Sequence, residues 1–138
     1  MGKNGYLDNE HTPTACVDLD GTIASYKDGW QSEEHYGEPI PGVQEALQRL
    51  KDNGWRIIIF TTRGDNKRTS AYLKKHNIPF DYINENPDQP PGTSDKLIAD
   101  VYIDDRGIRF NGDWAKTIDE VLAFSPWEKK EGELGWSN

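Results

Sequence analysis

The segment from residue 14 to residue 22 reads Thr-Ala-Cys-Val-Asp-Leu-Asp-Gly-Thr. Its first four residues form a short apolar run of the kind found in buried strands. Asp18 and Asp20 follow this run directly, and Gly21 marks a turn. The segment therefore predicts a buried strand that ends in an acidic turn.

A second and stronger apolar run extends from Trp55 to Phe60. It is short and rich in β-branched residues, as expected for a central strand of a parallel sheet. Residues 42–53 lie between the two runs and place apolar side chains at the spacing of one helix face, namely Val43, Ala46, Leu47 and Leu50. Because a helix separates the two strands, we expect the strands to be parallel.

The same alternation continues toward the end of the chain. Asp65 can cap a second helix that extends to about Lys75, and residues 80–83 and 99–103 are two further short strands. Thr117 and Glu120 have the spacing of a capping box, so we expect a last helix to begin there and to end near Phe124. The pattern predicts an α/β fold, a single Rossmann-like domain of three layers with a parallel sheet.

The chain has the length of one domain, at 138 residues. We predict a polar N-terminal segment over 1–13, the domain over 14–125 and a mobile tail over 126–138. Residues 25–41, called the flap below, fit neither a helix nor a strand, and residues 84–93 carry three prolines. Both segments are predicted loops beside the functional edge of the sheet.

Composition excludes several classes of protein. The chain has 16 Lys and Arg against 24 Asp and Glu, and its formal charge of −8 disfavours sequence-independent binding to nucleic acid or anionic lipid. No apolar run approaches the roughly 18 residues of a membrane span, so we expect a cytoplasmic protein with no membrane partner. The lone Cys16 excludes an internal disulfide and a multi-cysteine zinc site, and we expect it to pack in the core.

Reactive side chains follow the predicted strands at the points where the strands end. Asp18 and Asp20 follow the first strand, Thr61 and Arg63 the second, and the pair Asp104-Asp105 the fourth, with Lys96 shortly before it. The carboxyl ends of parallel strands meet at one edge, so these groups should converge. Four close carboxylates stay ionised most readily around a hard cation, and Mg²⁺ usually shares its shell with phosphate. The sequence therefore favours Mg²⁺-dependent phosphoryl transfer.

The ordered set of these motifs over residues 14–105 resembles the haloacid dehalogenase-like (HAD) phosphohydrolases. The resemblance implies that Asp18 is the nucleophile that forms an aspartyl-phosphate and that Asp20 is the general acid and base. It implies that Thr61 and Lys96 hold the phosphoryl group, although Thr62 can replace Thr61 if the strand ends one residue later. The implied Mg²⁺ ligands are the side chains of Asp18, Asp104 and Asp105 and the backbone carbonyl of Asp20, and either member of the adjacent pair can be the direct ligand.

HAD enzymes with large caps insert a domain either after the first motif or between the second and third motifs. In this chain the first place holds only the flap, and the second holds only about 30 residues of mixed composition. We therefore expect a capless or minimally capped member with an open site. Such a site suits a bulky phosphorylated substrate, or one covered by a second subunit. Trp30 and Tyr36 of the flap are candidates for stacking on a sugar or base.

Two short segments are similar to those of polynucleotide 3′-phosphatase domains and deoxyribonucleotidases, namely Thr61-Thr62-Arg63 and Ile103-Asp104-Asp105-Arg106. In those proteins similar arginines lie near the substrate, so Thr62 and Arg63 are candidate substrate contacts. The predicted substrate is a phosphorylated metabolite, a nucleotide or a sugar phosphate. A polynucleotide end is the alternative, although the net charge disfavours it.

Four other interpretations of the acidic motif fit the sequence less well. Asp20-Gly21 is also a hairpin signal, but the residues after it do not alternate. An EF-hand loop fails because its sixth position, counted from Asp18, is Ile23 rather than glycine. A phospho-aspartate receiver, which would be a signalling switch, places its acidic pair on the first strand and its acceptor on a later one, and here the order is reversed. An inactive scaffold would leave an intact set of groups unused.

Overall fold

Four short strands form one parallel sheet in the computed structural model, which describes residues 11–128. The strands are β1 (Thr14–Asp18), β2 (Arg56–Phe60), β3 (Tyr82–Ile83) and β4 (Val101–Ile103), and the helices are α1 (Val43–Asp52), α2 (Asn66–Lys75) and α3 (Trp114–Leu122). The strand order is β3-β2-β1-β4, with every neighbouring pair parallel. The prediction of a Rossmann-like α/β fold is confirmed.

β1 is one of the two interior strands of the sheet, and its apolar residues are buried on both faces. Val17 of β1 pairs with Ile59 of β2 on one side and with Ile103 of β4 on the other. Alternate residues of β1 and β2 join Leu47 of α1 and Leu73 of α2 in one buried cluster. The intervening residues Cys16 and Ile58 are also fully buried, and the expectation that Cys16 packs in the core is confirmed. Burial raises the pKa of the Cys16 thiol to about 11, so it stays protonated.

The second helix begins as predicted. The side chain of Asp65 accepts a hydrogen bond of 3.0 Å from the backbone N–H of Arg68 and caps α2. The predicted capping box at Thr117 is wrong, because α3 begins three residues earlier and Asp113 is its cap, accepting from the N–H of Lys116 at 3.0 Å. Thr117 lies one turn inside the helix, where its hydroxyl donates to the Asp113 carbonyl at 2.8 Å.

The flap leaves the domain and returns to it at one place. Ala24 and Pro39 form an antiparallel bridge, and the N–H of Ser25 donates to the Glu38 carbonyl at 2.7 Å. The N–H of Ile40 donates to the Ile23 carbonyl, also at 2.7 Å. The flap is therefore closed at its base beside the turn that carries Asp20.

Both ends of the described chain contact the domain. Residues 1–10 of the predicted N-terminal segment and 129–138 of the predicted tail lie outside the described residues. Trp127 Nε1 donates to the Gly21 carbonyl at 2.8 Å. The carboxylate of Glu128 accepts from Ser25 Oγ and from the N–H of Tyr26, each at 2.6 Å. None of the helices in residues 11–128 has the length and apolar character to span a membrane.

Candidate active site

The turn after β1 packs tightly against the end of β4. The N–H groups of Ile23 and Ala24 both donate to the Leu19 carbonyl at 2.9 Å, which closes the turn. Gly21 has a φ of 89°, and a Cβ added there would lie 2.2 Å from Asp105 Oδ2. Only glycine fits both this backbone conformation and this approach.

Three carboxylates meet at this contact. Asp18, Asp104 and Asp105 each offer an oxygen, and these oxygens lie within 4.8 Å of one another. The pKa of Asp18 is raised to about 7, first by burial and then by a hydrogen bond shared with Asp105 and by the charges of Asp104 and Asp105. Burial also raises the pKa of Asp105, whose side chain is 6% exposed. Such a set of oxygen donors fits a hard divalent cation, because the cation would relieve the repulsion.

The fourth predicted acidic residue has a different environment. Both carboxylate oxygens of Asp20 accept from Arg63, Oδ2 from Nε at 2.9 Å and Oδ1 from Nη2 at 3.0 Å. Burial opposes ionisation of Arg63, but this carboxylate holds the pKa of the guanidinium above its ordinary value. The side chain of Asp20 therefore faces a cation, whereas that of Asp18 faces two acids.

Thr61, the predicted phosphate-binding hydroxyl, directly follows β2. Its hydroxyl accepts from the backbone N–H of Arg63 at 3.1 Å. Asn84 holds its backbone from both sides, since Asn84 Oδ1 accepts from the Thr61 N–H at 2.9 Å and Asn84 Nδ2 donates to the Thr61 carbonyl at 3.1 Å.

This role of Asn84 was not predicted from the sequence. Its φ of 57° lies in the left-handed region, which asparagine adopts more readily than most residues. The available signal was its position directly after β3, the strand next to β2.

Lys96 and Thr61 line the same cavity as Asp18 and Asp104. This cavity, called the Asp18 cavity below, has a volume of about 840 Å³ and also includes Thr62 in its wall. The exposed Lys96 ammonium lies 5.8 Å from the ring centroid of Tyr102. The structure thus brings three of the four predicted catalytic residues to one cavity.

Asp20 lines a second cavity of about 470 Å³ beneath the flap, together with Arg63, Tyr36 and His35. The predicted substrate residues Arg63 and Tyr36 are engaged within the protein there. Tyr36 shares a hydrogen bond of 2.8 Å with Thr69, and its ring centroid lies 4.0 Å from Arg63 Cζ. Trp30 is 53% exposed, with its ring centroid 5.1 Å from the same atom.

Comparison with known proteins supports the fold and leaves the activity open. No protein-family model matches the chain, and no curated protein matches it. Among solved structures, a conserved protein from Bacteroides thetaiotaomicron superposes with a TM-score of 0.57 at 29% identity, over 81% of this chain and 91% of that one. The description of that protein names no activity.

Proposed function

We propose that this protein is a Mg²⁺-dependent phosphomonoesterase that acts through an aspartyl-phosphate on a phosphorylated metabolite. The observation that carries the proposal is the cluster of Asp18, Asp104 and Asp105 within 4.8 Å, of which Asp18 and Asp104 line a cavity together with Thr61 and Lys96. Carboxylates, a hydroxyl and an ammonium are the groups that phosphoryl transfer needs around a transferred phosphate. The resemblance of the ordered motifs to HAD phosphohydrolases points the same way.

The three clustered carboxylates would hold Mg²⁺. At such a site Mg²⁺ supplies charge neutralisation, which permits a dianionic phosphate to approach ionised acids. Thr61 and Lys96 would orient the phosphoryl oxygens, with Asn84 fixing the backbone of Thr61. Positioning and electrostatic stabilisation supply most of the rate in this class of reaction.

The covalent chemistry falls to two carboxylates. A carboxylate oxygen of Asp18 would form a bond to phosphorus while the bond to the leaving oxygen breaks, and Asp20, which must enter this step protonated, would give that oxygen its proton. A water molecule then gives a proton to Asp20 and attacks the phosphorus of the aspartyl-phosphate. The bond to the Asp18 oxygen breaks, which releases phosphate and restores both carboxyl groups to their starting protonation.

The environment of Arg63 weighs against a polynucleotide end as the substrate. All five N–H donors of Arg63 have partners within the protein, so the cation expected near a strand end is already engaged. Thr62 remains a candidate substrate contact, because it is exposed and lines the Asp18 cavity. A bulky ester, or a site covered by a second subunit, remains part of the proposal.

The test is phosphate release from a panel of nucleotides, sugar phosphates and phosphorylated oligonucleotides, with Mg²⁺ and with a chelator. We expect Mg²⁺-dependent release that Asp18→Asn abolishes. Asp119→Asn, an exposed change of the same kind on α3, is the matched control and should have wild-type activity. Retained turnover in Asp18→Asn would refute the nucleophile assignment. A phospho-Asp18 that persists for minutes would instead indicate a receiver-like switch.

A further inference from the structure

Arg63 lies in a loop, yet it is 4% exposed, and every donor of its guanidinium is used. Two N–H groups bind Asp20, as described above. The other three donate to backbone carbonyls of the flap, at 3.4 Å to Ser32, 3.2 Å to Glu33 and 2.8 Å to His35. One side chain therefore joins the carboxylate after β1 to a continuous stretch of the flap.

Aromatic residues hold the guanidinium from the flap side. The ring of Tyr36 covers it at 4.0 Å and itself stacks on Tyr72, with ring centroids 4.8 Å apart. The Tyr72 hydroxyl donates to the Gly37 carbonyl at 2.7 Å, which fixes the C-terminal part of the flap to α2. A cation over an aromatic face is stabilised, and more strongly when it is out of water.

Loss of Arg63 would remove the hydrogen-bond donors of several part-buried acceptors. The three flap carbonyls would each lose a charged donor, and Asp20 would lose both of its hydrogen bonds. Acceptors that lose their donors at a part-buried site gain by reaching water, so the flap and the carboxylate would both rearrange toward solvent. Flap order and Asp20 orientation are thus linked through one residue.

We propose that Arg63 is a positioning residue that makes the orientation of Asp20 depend on an ordered flap, and that it does not bind substrate. The proposal rests on the proposed function, in which Asp20 transfers the proton. A planar fork fixes both oxygens of a carboxylate, whereas a lysine ammonium binds as a point charge. The fork therefore fixes the plane of the Asp20 carboxylate.

The test compares two aryl esters that differ in how much they need proton transfer. p-Nitrophenyl phosphate has a good leaving group, and phenyl phosphate has a poor one of similar size. Arg63→Lys should lower kcat/KM for phenyl phosphate by about 10²-fold more than for p-nitrophenyl phosphate, the size of a lost general acid. The ratio kcat/KM is used because it reports the phosphorylation step even where hydrolysis of the phosphoenzyme limits kcat.

The matched control is Arg68→Gln. Arg68 pairs with Glu34 of the flap at 3.5 Å on the surface and does not contact Asp20. Arg68→Gln should change kcat/KM for the two esters equally and only slightly. If Arg63→Lys does not fold, Tyr36→Leu loosens the guanidinium from the flap side and should give the same selective loss. An equal loss for both esters in Arg63→Lys or Tyr36→Leu would overturn the proposal.

Hydrogen exchange of residues 26–36 gives a readout that does not need activity. Arg63→Lys and Asp20→Asn should each raise exchange in this segment, and Arg68→Gln should leave it near wild type. Unchanged exchange in the first two variants would overturn the coupling. If the wild-type protein releases phosphate from neither ester, the proposed function fails, and so does the catalytic part of the inference. The exchange result still decides whether Arg63 couples Asp20 to the flap.

Discussion

Gly21→Ala tests the contact between the turn after β1 and the acidic cluster. The new Cβ would lie 2.2 Å from Asp105 Oδ2 and 2.8 Å from its Cγ, so the Asp105 side chain must move. A left-handed backbone costs alanine about 1 to 2 kcal/mol. The forced displacement of Asp105 adds the cost of overpacking, about 1 to 3 kcal/mol. We therefore expect the free energy of unfolding to fall by about 2 to 5 kcal/mol in total.

Gly54→Ala separates the two contributions. Gly54 has a φ of 85°, close to that of Gly21, and a Cβ there would meet nothing within 4 Å. Gly54→Ala should therefore lower the free energy of unfolding only by the backbone cost, about 1 to 2 kcal/mol. The difference between the variants in urea denaturation, measured with a chelator present, isolates the displacement of Asp105.

The second readout is the rise in thermal stability on adding Mg²⁺. Since Mg²⁺ demands near-octahedral geometry, a displaced Asp105 should remove most of this rise in Gly21→Ala. Gly54→Ala should keep it in full. A Gly21→Ala protein that gains as much stability from Mg²⁺ as the wild type would refute the reasoning that Asp105 must stay where the turn allows it.

Three further predictions concern other parts of the site. The pKa of Asp18 is raised in the folded state to about 7, so the protonated carboxyl stabilises the fold fully below its ordinary pKa of 3.8, and this stabilisation is lost as pH rises through about 7. Urea denaturation of the metal-free protein should show this decline in the free energy of unfolding. Asp18→Asn should flatten the decline. Asn84→Gly, which adds no backbone strain, should cost about 1 to 3 kcal/mol and lower kcat/KM, whereas Asn77→Gly, at a φ of 58° away from the site, should leave kcat/KM unchanged. Glu128→Ala should cost about 1 to 3 kcal/mol and raise hydrogen exchange at the flap base, and Glu120→Ala, exposed on α3, should do neither.

The sequence predicted the sheet and the meeting of its acidic strand ends because both depend on short-range patterns. Apolar runs located β1 and β2, and the helix between them required parallel strands. Once the strands are parallel, their carboxyl ends share one edge, so Asp18 and Asp104 must approach each other. The capping box failed for a local reason, since Asp113 offered an equally good cap one turn earlier.

Contacts between distant loops were beyond such patterns. An arginine after a strand is usually exposed, and nothing in the sequence states that three flap carbonyls turn toward Arg63. The contacts of Trp127 and Glu128 with the flap base and the β1 turn join residues more than 100 positions apart. These contacts depend on the conformations of irregular segments, which hydrophobic periodicity does not encode.

Asp18 and Asp20 are two residues apart, yet the fold gives them opposite surroundings. β4 lies on one side of β1 and brings Asp104 and Asp105 to the first carboxylate. The loop after β2, on the other side, brings Arg63 to the second. This difference follows from the interior position of β1, which has β4 on one side and β2, with the loop that carries Arg63, on the other.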